Sequence, residues 1–154
     1  MEAKDRYQAA IIVVRDDPNN HVTGPQPEER IALAERELGL AFPPSYRTFL
    51  LELGSGIIQS QRVLGVYHSD FANSNALDVV GMTRMMRDDG AQEGLVVFYY
   101  DGSEWYHAID TRQRDDRGES PVVWWSPPPA EGIGSRVADD FAAWFVSLAE
   151  GTGP

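Results

Sequence analysis

ALAERELGLAFPPSYRTFLLELGSG, running from Ala32 to Gly56, encodes two amphipathic helices and the short link between them. Ile31, Ala34 and Leu38 fall on one helical stripe. Pro27 suits a first helical position, Glu28 and Glu29 suit the positive helix end, and Gly39 is a natural stop. Pro43-Pro44 restarts the chain into a second helix. Tyr46, Phe49, Leu50 and Leu53 share its buried face, and Gly54 closes it.

Upstream, Arg15 to Pro27 (RDDPNNHVTGPQP) is rich in turn-forming residues and reads as a loop that contains His21. Before it, Tyr7, Ala10, Ile11 and Val14 repeat at helical spacing, while the β-branched run from Ile11 to Val14 offers a strand as the competing reading. The ends, Met1 to Asp5 and Gly151 to Pro154, are expected to fray. Downstream, Ile57-Ile58 and Arg62 to Tyr67 read as short strands, and Val79 to Arg87 as a short helix carrying Met82, Met85 and Met86. Leu95 to Tyr100, Trp105 to Asp110 and Val122 to Trp125 read as strands. The first two are joined through Asp101-Gly102, a strong hairpin signal. After the breaker tract Ser126 to Gly134, a last helix is expected. Ser135 would be its N-cap, Asp139 and Asp140 would lie in its first turns, and Val137, Phe141, Trp144 and Leu148 would form its buried stripe.

Helices first, hairpin-linked strands next and a closing helix predict an α+β fold. Its antiparallel central sheet would be packed by the N-terminal helices and the C-terminal helix. At 154 residues one domain is expected, with residues 1–26 as an extension and loop and 27–150 as the core. There is no cysteine, which excludes disulfides, thiolate nucleophiles and cysteine-ligated metal. No stretch reads as a signal peptide or a membrane span, so cytoplasmic residence is the expectation.

The formal net charge is −11. Up to residue 60 there are 9 acids against 6 bases, and beyond it 15 against 7. The acidity sits mainly in the second part of the chain. Such a field repels nucleic acid and anionic lipid and speeds association with a basic partner, or else simply keeps the protein soluble.

Catalytic signatures are missing. His68 and Asp70 would share a strand face, but no second pair has ligand spacing, and no metal is expected. His107 alternates with Trp105 and Ile109, while Asp110 faces the other way. No G-x-S-x-G elbow, G-x-G-x-x-G, G-K-[ST] or H-E-x-x-H occurs. Asp88-Asp89 and Asp115-Asp116 read as solvated loop acids. The residues therefore predict neither an enzyme nor a cofactor. The aromatic residues suggest a binding role instead. Tyr99, Tyr100, Trp105, Tyr106, Trp124 and Trp125 fall on three neighbouring strands and alternate in direction. Either some lie exposed beside carboxylates, or helices cover both faces.

The block from Ala32 to Gly56 resembles the signature of the SUKH superfamily, of the Smi/Knr cell-wall-regulator type. Further matches are Gly65-Val66, the turn Asp101-Gly102-Ser103, the strand Tyr106 to Asp110, Gly118 to Trp124, and the helix with Phe141 and Phe145. The likeness runs from about Glu28 to Leu148. It departs from the family at Glu104-Trp105, where a Gly or Asn is common, and in the segment up to Gln26. The resemblance implies fold-determining roles for Leu38, Phe42, Pro44 and Gly102 and carries over no catalytic residue. It also implies an immunity protein that neutralises a toxin domain, often a nuclease, or alternatively a regulatory protein-interaction module. A small hydrolase, using a pocket at His68 or His107, is the remoter reading. The expected partner is a basic toxin domain, met by a monomer or weak dimer through Asp101, Glu104, Trp105, Asp115, Asp116 and Glu119. Binding to nucleic acid or membrane is not expected.

Overall fold

A computed structural model describes residues 2–128 and 132–152. Residues 129–131 of the breaker tract, together with Met1, Gly153 and Pro154 of the expected frayed ends, lie outside the described residues. Five α-helices and seven strands follow in the order α1 (Ala3–Asp16), β1 (His21–Val22), α2 (Glu28–Leu38), α3 (Pro44–Glu52), β2 (Gly56–Ile58), β3 (Gln61–Val63), α4 (Val79–Asp88), β4 (Leu95–Tyr100), β5 (Tyr106–Asp110), β6 (Val122–Ser126), β7 (Gly132–Ala138) and α5 (Phe141–Ala149). The fold is α+β. Its antiparallel strands form two sheets, ordered β1-β2-β3 and β4-β5-β6-β7.

The first residues are helical: Tyr7, Ala10, Ile11 and Val14 turn inward on α1, so spacing prevails over the β-branched run. α1 packs into the main core with α5, where the Tyr7 ring meets Phe141 and Phe145 edge-on. In the signature block each residue type has a task. Gly39 ends α2 in the left-handed conformation (φ 71°), from which its amide and that of Leu40 return to Glu35. The Glu35 carboxylate accepts from the Phe42 amide (2.7 Å) and pairs with Arg47 (3.1 Å), which fixes the angle between α2 and α3. Pro44 opens α3, and the Tyr46 hydroxyl donates to the Leu64 carbonyl at 2.7 Å.

The four-stranded sheet is covered on both faces. Met86 and Ala91, at and just beyond the end of α4, pack with Leu95, Val97, Ala108, Val123 and Trp125. On the other face Val96, Phe98, Ile109 and Val122 join Tyr46, Phe141 and Trp144. A bulge between Val97 and Tyr99 breaks the alternation of β4, so Phe98 and Tyr99 both pack against Trp144. The outer edge of β4 is occupied, because the Val97 amide donates to the Thr83 hydroxyl and the Phe98 carbonyl accepts from the Leu64 amide.

Several expectations change, among them that for Val137, which lies in β7 and not on the stripe of the last helix. The strand predicted for Arg62 to Tyr67 stops at Val63, since the next residues cross between elements, with the Val66 amide donating to the Gly54 carbonyl. His21 belongs to a two-residue strand and not to a loop. Ser135 does not cap the last helix. It lies within β7, and Asp140 caps α5 by accepting from the Ala143 amide at 2.8 Å. β7 uses two more residues than β6 between the pairs Val122–Ala138 and Trp125–Ile133, and these bulges bend the outer strand.

Candidate partner-binding surface

The six residues expected to meet a partner divide between opposite ends of β5. Asp101, Glu104 and Trp105 lie in the β4–β5 turn, while Asp115, Asp116 and Glu119 lie in the β5–β6 loop. The five residues of β5, spanning about 13 Å at roughly 3.3 Å per residue, lie between the two groups.

At the β5–β6 end the carboxylates are largely engaged. Glu119 is buried, and its two oxygens accept from the Ser45 amide (2.9 Å) and hydroxyl (2.7 Å) at the start of α3. Burial pushes its carboxyl above the ordinary value despite these bonds. Asp115 organises its own loop, accepting from the Arg117 and Glu119 amides and pairing with Arg117 at 3.0 Å. Desolvation acts to raise its carboxyl, but these donors outweigh it and hold the group below the usual range. Arg117 also reaches Asp140, and Arg136 pairs with Asp139. A cleft of about 410 Å³ here, lined by Arg114, Arg117 and Arg136 beside Asp115, Glu119 and Asp139, is thus of mixed sign. Asp116 is exposed and has no hydrogen-bond or ion-pair partner among the described residues.

The hairpin end differs. Asp88, Asp89, Asp101 and Glu104 have no basic partner among the described residues. The turn is nevertheless well ordered by its own bonds. Asp101 accepts from the Ser103 amide (2.9 Å) and hydroxyl (2.6 Å), the Tyr100 hydroxyl donates to the Ser103 carbonyl, and the Ser126 hydroxyl donates to the Glu104 carbonyl at 2.8 Å. Partial burial acts to raise the Asp101 carboxyl, yet the Ser103 donors leave it below its ordinary range.

Aromatic rings flank this turn on both faces. On the α4 side Tyr100 (43% exposed) lies 4.5 Å from the half-buried Tyr106. On the α5 side Trp105 meets Trp124 edge-on at 6.0 Å and lies over Gly134, where a Cβ would come within 3.1 Å of the Trp105 ring. The sequence left two readings of the aromatics open. Trp125 and Tyr99 are buried, whereas Tyr100 is exposed and Trp105, Tyr106 and Trp124 are half-buried. Tyr100 and Tyr106 could have been singled out from the hairpin register, but only once the bulge in β4 was known.

The histidines serve the fold. His107 is buried, and its Nδ1 accepts from Trp144 Nε1 at 2.8 Å. Burial lowers its pKa from 6.5 to about 4, so at neutral pH it is uncharged. His68 Nδ1 accepts from the Asp70 amide, and its Nε2 faces Asp78, which caps α4. Among the described residues no group of three His, Asp or Glu side chains could hold a metal ion. Nor is any described helix long and apolar enough to cross a membrane.

The comparisons agree with this architecture. The family model SUKH_5, SMI1-KNR4 cell-wall, matches residues 5–150. The chain belongs to that family. A solved protein from Pseudomonas syringae pv. tomato has the same fold, with a TM-score of 0.63 at 17% identity over 89% of this chain and 93% of that one.

Proposed function

We propose that this chain is an immunity protein that binds and neutralises a basic toxin domain, of nuclease type, through its β4–β5 hairpin end. The observation that carries the reading is the pairing of unneutralised carboxylates with exposed rings there. Asp88 and Asp89 at the end of α4 and Asp101 and Glu104 in the turn have no basic partner among the described residues, whereas most acids at the β5–β6 end pair with arginines. A nuclease that grips phosphates is basic around its active site, so an acidic binder can steer to it and occupy its electrostatic footprint. Aromatic anchors slow dissociation. Trp105 and the hairpin acids form the contact in this reading, with Asp116 adding long-range attraction. The protein acts in the cytoplasm as a monomer or weak dimer.

Co-expression with the toxin domain that this reading expects to find encoded beside it provides the test. Growth should be rescued and a complex should survive moderate salt. Failure of rescue, or no complex, overturns the proposal.

A further inference from the structure

The Tyr100–Tyr106 pair has a physical peculiarity. A large exposed side chain ordinarily keeps its rotamer freedom, but Tyr100 spends its hydroxyl on the Ser103 carbonyl. Ser103 in turn binds the neighbouring Asp101 carboxylate through both its amide and its hydroxyl. One turn residue therefore immobilises the Tyr100 ring, while the Asp101 carboxylate it also holds acts on Tyr99 and His107 of the α5 side. The Tyr106 ring lies 4.5 Å away, tilted 31° to Tyr100, and rests against Trp125 beneath it. Asp89 precedes Gly90, whose position packs on Pro128 just beyond β6, so the end of α4 lies at the same end of the sheet as Tyr106 and its partner Trp125. The pKa of the Tyr106 phenol is raised by burial first and then by Tyr100 and Asp89. A platform ordered before binding loses little entropy when it is occupied.

We propose that this pair, with Asp89, is a docking site for an arginine side chain presented by the partner protein. The inference rests on the binding role proposed above and specifies its chemistry. A guanidinium stacks on an aromatic face while its N–H groups reach carboxylates, a combination that a lysine ammonium reproduces poorly. No Arg or Lys of this chain pairs with Asp89 among the described residues, which leaves that carboxylate available to a cation from outside. A second copy is a poor occupant, because it would bring the same carboxylates against themselves.

The test is an amide NMR titration of the full chain with three glycine-serine pentapeptides carrying a central arginine, lysine or citrulline. The arginine peptide should shift Asp89, Tyr100 and Tyr106 saturably, the lysine peptide more weakly and the citrulline peptide not at all. Tyr100→Ala and Asp89→Asn should each weaken arginine binding about two- to fivefold. Equal responses to arginine and lysine, shifts spread over all acidic surfaces, or no saturable shift would overturn the proposal. So would concentration-dependent shifts of the same residues without peptide, which would mean that a second copy occupies the face. The two readings separate cleanly. If arginine binds but the chain gives no rescue, the immunity role falls and the site stands. If growth is rescued but Tyr100→Ala and Asp89→Asn leave both the arginine-peptide affinity and the affinity for the toxin domain unchanged, the site falls and the immunity role stands.

Discussion

Glu119 caps α3 from 74 residues away, its carboxylate accepting from the amide and the hydroxyl of Ser45 at 2.9 and 2.7 Å. The N-cap residue of α3, Pro43, offers no side-chain oxygen, so the first turn of α3 depends on this distant acid. Tyr7 adds a second tie, its hydroxyl donating to the Ser45 carbonyl at 2.6 Å. One serine thus joins α1, α3 and the β5–β6 loop.

Removing the cap should be costly. Glu119→Ala leaves the Ser45 amide without its acceptor and should destabilise the fold by about 1–2 kcal/mol in urea denaturation. Glu119→Gln keeps an acceptor and should cost less. The pH response separates the variants further. The folded carboxyl titrates above its unfolded value, so its contribution is most favourable below the unfolded pKa and declines as pH rises through the folded one. In Glu119→Gln that decline should vanish.

His107 gives the opposite dependence. Its folded pKa is depressed, so the unfolded chain takes up the proton first and stability falls as pH drops from 6.5 towards 4. The fully developed effect is roughly 3 kcal/mol. Unfolding free energies measured across that window should fall accordingly. His107→Gln, which can still accept from Trp144, should flatten the curve between those limits.

Gly134 leaves room for Trp105. A Cβ there would lie 3.0 Å from the Trp124 Cβ and 3.1 Å from the Trp105 ring. Gly134→Val should cost about 1–3 kcal/mol through overpacking. It should also change the tryptophan emission, because Trp105 must move outward. An unchanged spectrum and midpoint would show that the ring does not rest on β7.

Association kinetics should discriminate the two ends of β5. Charge reversal at Glu104, whose carboxylate makes no bond within the turn, should slow complex formation with the proposed toxin domain and weaken its salt dependence. Asp116→Lys, which breaks no bond within the loop, should do so to a smaller extent. Asp115→Lys is a poor probe, since that carboxylate holds the Arg117 and Glu119 amides. Stopped-flow rates at several ionic strengths provide the comparison. If Asp116→Lys has the larger effect, the recognition surface is the β5–β6 loop.

Much of the architecture could be read from local signals. Leu38-Gly39 and Pro43-Pro44 mark helix ends through backbone conformation alone, and Leu95 to Tyr100 with Tyr106 to Asp110 follow from a hairpin turn. β7 could not be read in this way. Gly132, Gly134 and Ser135 have little strand preference, and only pairing with β6 makes them extended. The same limit applies to the surface. Sequence identifies Asp115 and Glu119 as acids but not that one folds its loop and the other lies buried under α3. Tyr100 and Asp89 are far apart in sequence, and the packing of α4 on β4 and β5 is needed to bring them to one face.

The doubly bulged β7 has a consequence for how the protein can be used. One border of the four-stranded sheet is occupied by Thr83 and Leu64, and the other is bent by two surplus residues. Neither offers a straight ladder for strands of neighbouring molecules to join. Edge-to-edge pairing of copies through these two borders is therefore disfavoured, a tolerance of crowding built into this sheet. A stoichiometric binder needs that tolerance, because it must outnumber its target at all times.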